Sequence, residues 1–133
     1  MPILRIAIAI IWRESFILVA RRLPDATHAA GLCEFPGGKC EEHESFADCA
    51  RREVAEETGL KVLLGAPYQR IEWHYPERAV SIQPFDATIS AGHAHALESA
   101  EICWRRPDEL REEDFPAANA NLIAALRGRS GPL

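Results

Sequence analysis

The sequence predicts an α+β domain built as an α/β/α sandwich, a mixed sheet held between helices. Three observations predict it. Apolar runs of strand length fill the first quarter of the chain, a capped acidic helix occupies the middle, and a second amphipathic helix stands near the end. Each element has an apolar face to bury, and stacking helices on a sheet buries both kinds. At 133 residues the chain suits a single domain, 1–133, with enough core to fold without staples.

Residues 3–12 are nearly continuous Ile and Ala, the pattern of a central strand covered on both faces. Residues 15–22 form a second strand ending in Arg21 and Arg22, and residues 24–31 a loop that carries His28. Residues 32–35 make a short strand leading into Pro36-Gly37-Gly38, read as a turn where backbone can approach a ligand closely.

Ser45 followed by Asp48 has the form of a capping box, so a helix begins there; Gly59 supplies its left-handed stop. Further strands are expected at residues 61–64, 68–75 and 79–89, with Pro84 arguing for an edge strand or a bulge. Residues 91–100 read as a mobile loop and 101–104 as a last strand. Residues 107–110 read as a helical turn and 120–127 as a helix buried through Leu122, Ile123 and Leu126. Residues 128–133 read as a frayed tail.

The chain is 47% apolar and 26% charged with a net charge of −5, ordinary globular values. No excess of Lys and Arg exists to neutralise a nucleic-acid duplex, which excludes it as the main partner. There is no apolar run long enough for a membrane span and no clear signal peptide, so a cytoplasmic address is expected. No obligate protein partner is evident. Cys33, Cys40, Cys49 and Cys103 lack C-x-x-C spacing and read as small buried hydrophobes, not as a zinc site.

Eight of the 20 carboxylates lie between Glu34 and Glu57. Like charges a few ångströms apart repel by roughly 1 kcal/mol per pair even in a water-like dielectric, so the cluster calls for cations. On a helix, Glu53, Glu56 and Glu57 share a face at about 100° per residue, and Arg52 lies four residues before Glu56, within reach to orient it. Hard oxygen ligands suit Mg²⁺, with Mn²⁺ as a substitute. The matching reaction is hydrolysis at phosphorus, with a spare glutamate to orient or deprotonate the attacking water.

Gly38, Glu44, Arg52-Glu53-Val54, Glu56-Glu57 and Gly59-Leu60 fill all nine constrained positions of a 23-residue pattern. This pattern resembles the Nudix box, and the resemblance implies a Nudix-like fold. By that resemblance Glu56 and Glu57 are metal ligands with the Gly37 carbonyl, and Glu53 is a ligand or the water-orienting base. Glu44 and Arg52 hold the others in place. Glu98, on the loop before the last strand, is a metal-binding or general-base residue.

LCEFPGGK before the box, YPER at 75–78 and DFPAAN at 114–119 further resemble the branch of the family that acts on 8-oxo-dGTP. That likeness implies a nucleoside triphosphate substrate, cleaved to the monophosphate and pyrophosphate. Arg22 and Arg78 would contact or close over the base, with the choice between Arg21 and Arg22 left open. The Glu34-Phe35 backbone would line the nucleotide pocket, His28 would fall at a nucleotide contact, and Lys39 would reach a phosphate. The Asn119 carboxamide, both donor and acceptor, can pair with a purine edge or cap the last helix. Two alternatives stay open: another nucleoside triphosphate such as CTP or dCTP, and a module that binds nucleotide without cleaving it.

Overall fold

The computed structural model describes residues 3–26 and 30–132, so His28 lies outside the described residues. The elements run β1 (Ile3–Arg13), β2 (Phe16–Arg21), β3 (Cys33–Glu34), β4 (Gly37–Lys39), α1 (Phe46–Thr58), β5 (Lys61–Pro67), β6 (Ile71–Tyr75), β7 (Arg78–Ala91), β8 (Glu101–Arg105) and α2 (Ala120–Leu126). Three short 3₁₀ turns lie between β8 and α2. All eight strands join one mixed sheet.

β1 is its spine, and the lack of polar alternation there has a direct cause. Ile8, Ile10 and Trp12 pack with Leu122, Ile123 and Leu126 of α2 on one face. Ala7 meets Cys49 and Ala50, and Ala9 and Ile11 meet Val54 and Leu60, on the α1 face. Ile10 and Ile11 are fully excluded from water, each contributing about 1.5–3 kcal/mol of transfer free energy. β7 runs parallel to β1 from Ile3 opposite Ala79 to Trp12 opposite Thr88. β4 and β2 share the other edge of β1, at Ile6–Ile8 and at Trp12 and Arg13 respectively.

Three expectations are corrected. Gly37 and Gly38 belong to a strand, β4, antiparallel to β1, not to a turn. Of the edge strand or bulge expected at Pro84, the edge is not found, since Pro84 lies inside the sheet opposite Ile8, whereas the adjoining β5–β7 register is irregular. The proline is tolerated because β6 pairs with β7 only as far as Ile82 and β5 starts at Phe85, with a register shift between Leu64 and Pro67. The Pro84 carbonyl accepts from Tyr68 N–H on that side, so the missing proline N–H falls in the hand-over between two partners. Finally, Arg129 in the predicted frayed tail is anchored: its guanidinium donates to the buried Asp86 and contacts Tyr68.

Candidate active site

The caps of α1 fix what its glutamates face. Ser45 accepts the Asp48 N–H at 3.1 Å, and Gly59, at φ 79°, closes the helix onto Ala55. With Cys49, Ala50 and Val54 buried against the sheet, Glu57 follows Val54 by three positions and is drawn inward to 4% exposure. The three glutamates therefore do not share one environment as the helical spacing suggested. Glu56 stays half exposed, and Glu53 is mostly covered.

Two glycines make room for this. Gly37 has φ 156°, and a Cβ there would lie 2.1 Å from the Ala7 carbonyl oxygen; one on Gly38 would lie 2.3 Å from Glu53 Oε2. Neither glycine position of β4 has room for a side chain against β1 and Glu53. Gly37 N–H donates to Glu57 Oε2 at 3.1 Å, while Glu57 Oε1 is buried without a hydrogen-bond partner. Burial, then the charge of Glu34, pushes the Glu57 carboxyl up to about 8, against the pull of the Gly37 N–H. Burial also raises Glu53, with Arg52 opposing it.

Arg52 ties the site together. It grips Glu44 through Nε and Nη2 at 2.8 and 2.9 Å, the Lys39 carbonyl at 3.0 Å, Glu53 Oε1 at 2.8 Å and Glu56 at 3.3 Å. Those bonds, with a further one from Glu41 N–H, hold the Glu44 carboxyl down at about 2. The 92–100 loop is fastened to the end of α1, where His95 N–H meets the Thr58 carbonyl and Leu97 N–H the Glu57 carbonyl. Helix-end carbonyls without intrahelical partners are satisfied this way, and the same bonds bring Glu98 within 4.8 Å of Glu53 and Glu56, oxygen to oxygen. His93 and His95 are not in that group.

An open cleft of about 560 Å³ adjoins these carboxylates. Leu4, Ile6, Ile8, Val80 and Ile82 form its apolar floor, and Arg22, Glu34, Phe35, Lys39, Arg78 and Asn119 line it together with Gly37, Glu57 and Glu98. Every substrate-side residue expected from the sequence is there, apart from the undescribed His28. Glu44, Arg52, Glu53 and Glu56 are not among the lining residues of the cleft. The two arginines separate: Arg22 pairs with Glu34 at 2.8 Å in the cleft, whereas Arg21 pairs with Glu101 at 2.8 Å away from it. Phe35 is stacked on Phe115 with ring centroids 5.0 Å apart, which fixes that wall. Asn119 is 8% exposed and makes no side-chain capping bond, so α2 is not what engages its carboxamide.

Sequence reading missed the floor and Glu77, which also lines the cleft. The floor had a signal, since Leu4, Ile6 and Ile8 alternate along one face of a strand; Glu77 had none beyond its neighbour Arg78. The carboxylates of Glu53, Glu56 and Glu98 converge as an all-oxygen group that fits a hard divalent cation; Glu57 is not in that group, and its buried Oε1 is left without a partner.

A NUDIX domain model matches residues 2–126. An 8-oxo-dGTP diphosphatase of Buchnera aphidicola (subsp. Acyrthosiphon pisum) is 38% identical over 96 residues, 72% of this chain and 77% of that one. Its Escherichia coli K12 counterpart is 33% identical over 93% of this chain and 96% of that one. The CTP pyrophosphohydrolase of the same bacterium is 30% identical over 95% and 93%. The crystal structure of a MutT protein from Methanosarcina mazei Go1 superposes with a TM-score of 0.81 at 25% identity, covering 94% of this chain and 93% of that one. With a complete box on a capped helix beside a cleft, and a match spanning nearly its whole length, the chain belongs to the Nudix family of hydrolases.

Proposed function

We propose that this single-domain enzyme hydrolyses 8-oxo-dGTP to 8-oxo-dGMP and pyrophosphate, clearing a mutagenic nucleotide from the cytoplasmic pool. The observation that carries the reading is one cleft lined both by Asn119, Arg78 and the Arg22–Glu34 pair and by Glu57, Glu98 and Gly37. The first group suits a purine edge and the second a polyphosphate. Full-length relatives that act on 8-oxo-dGTP support it.

Nudix hydrolases use divalent ions, and here Glu56, Glu57, Glu98 and the Gly37 carbonyl would hold Mg²⁺, or Mn²⁺ in its place. When bound, the ion supplies charge neutralisation for the phosphates and a lowered pKa for water. Glu53 orients the attacking water and takes its proton; Arg52 fixes its Oε1, and the other oxygen is left for that task. Water adds to the β-phosphorus, the bond to the α-phosphate bridging oxygen breaks, and the monophosphate leaves with that oxygen. Glu44 keeps Arg52 in register with both Glu53 and Glu56. Lys39 meets phosphate charge at the cleft rim, and Asn119 donates to and accepts from the purine edge.

A second reading takes CTP as substrate, favoured by the nearly full-length match to a CTP pyrophosphohydrolase. Comparing kcat/KM for 8-oxo-dGTP, dGTP and CTP, with and without Mg²⁺ and scored by pyrophosphate release, decides between them. Preference for 8-oxo-dGTP over dGTP is expected; equal values for the two would end the first reading.

A further inference from the structure

Two cysteines nine positions apart meet beside the Arg52 bridge. Cys40 directly follows β4, and Cys49 lies at the first turn of α1. Their sulfurs and a carboxylate oxygen of Glu44 all lie within 4.8 Å of one another. Both backbones are held: Cys40 N–H donates to the Arg5 carbonyl at 2.8 Å, and Cys49 N–H to the Ser45 carbonyl at 2.9 Å. Cys49 is fully buried and its thiol points at the Gly38 carbonyl, 3.6 Å away; Cys40 is partly exposed and offers a way in.

Metal–sulfur bonds of about 2.3 Å in a tetrahedral centre set two sulfurs about 3.8 Å apart. The observed group is a small side-chain adjustment from that arrangement. A disulfide would need the sulfurs at about 2.05 Å and an oxidant as well. Soft thiolates also select a different class of ion from the oxygen-only glutamates.

We propose that Cys40, Cys49 and Glu44 form a site for a thiophilic divalent cation of the zinc or cadmium type, separate from the glutamate site. Binding converts two thiols and one cation into two metal-bound thiolates and two protons released to solvent; no electron is transferred. Both Glu44 oxygens are already held by Arg52, at 2.8 and 2.9 Å, so the ion competes with Arg52 for that carboxylate. Arg52 then loses its register on Glu53 and Glu56, and turnover falls. This inhibitory consequence rests on the roles proposed above for those glutamates; the site itself does not.

The test titrates the intact protein with Cd²⁺ alone, following the ultraviolet thiolate-to-cadmium band and the protons released. Carboxylates give no such band, so the readout is independent of the assigned activity. One equivalent and about two protons are expected. Cys40→Ser and Cys49→Ala should each weaken the band's apparent affinity by at least about 10- to 100-fold, while a Cys33→Ser/Cys103→Ser double variant keeps it. Unchanged melting of the Cys40→Ser variant, at a partly exposed position, shows that its loss is not unfolding. No band in the natural sequence, or an equal band in Cys40→Ser, would overturn the site. In excess Mg²⁺, one equivalent of Cd²⁺ should suppress pyrophosphate release by the natural sequence and not by Cys40→Ser; a band without inhibition would overturn the competition with Arg52.

Discussion

Asp86 and Glu57 are both carboxylates buried against the same sheet, and they are treated in opposite ways. Asp86, with no exposure, receives Trp12 Nε1–H at 2.9 Å, Arg129 Nη2 at 2.9 Å and the Tyr68 hydroxyl. Donors from β1, the segment before β6 and the C-terminal tail close around it. Glu57 receives one backbone N–H, keeps Oε1 without a partner, and sits beside the charge of Glu34. A buried charge without compensation is costly, whereas a paired one is held in place by its partners. The closed carboxylate joins distant parts of the chain; the open one keeps an unpartnered oxygen, and it is the one proposed above as a cation ligand.

Breaking the open side chemically gives the largest effect. Glu53→Gln should lower kcat by about 10²- to 10⁴-fold while nucleotide binding, read by calorimetry, persists. Near-normal turnover in that variant would remove Glu53 from the mechanism. Breaking the closed side should act on stability instead. Asp86→Ala removes the buried carboxylate that Arg129, Trp12 and the Tyr68 hydroxyl share and should cost about 3–5 kcal/mol in urea unfolding, with activity per folded molecule little changed.

The sharpest contrast comes from pH. A carboxyl raised on folding favours the folded state below its unfolded pKa, and that contribution is lost as pH climbs through the folded value. For Glu57 the window runs from its ordinary 4.5 to about 8. Metal-free protein should therefore lose stability across that range, while Glu57→Gln should not and should be the more stable of the two at pH 8. Thermal melts in chelator from pH 4.5 to 8 measure this, and parallel curves for both proteins would refute it. Added Mg²⁺ should flatten the natural curve and leave the variant less affected. Asn119→Ala, the smallest effect, should leave dGTP hydrolysis nearly intact. It should cut the preference for 8-oxo-dGTP by about 1–3 kcal/mol in relative kcat/KM.

These two carboxylates also differ in how far they could be read from the chain. Glu57 announced itself through local spacing: Ser45, Asp48 and Gly59 bound the helix, and Glu53, Glu56 and Glu57 fall within its last turns. Helical periodicity and capping act over a few residues, so they survive in the sequence. Nothing near Asp86 marked it, because its partners lie 74, 18 and 43 positions away. Arg129, its cation, was read as part of a loose tail for the same reason. Pro84 was read half correctly: it lies on an inner strand, but beside the register shift where two strands hand over along β7.

Local patterns along the chain specify the layered α+β class, the boundaries of α1 and the box of carboxylates, each through backbone chemistry or a short fixed spacing. Most of the polar residues that line the cleft were implied only by the likeness to the Nudix family. Tertiary structure alone decided that Glu57 turns inward while Glu56 faces water, that Arg22 and not Arg21 enters the cleft, and that Cys40 meets Cys49. Those outcomes depend on which face of each element is buried against the others, and burial is a property of the packed whole rather than of any stretch of chain.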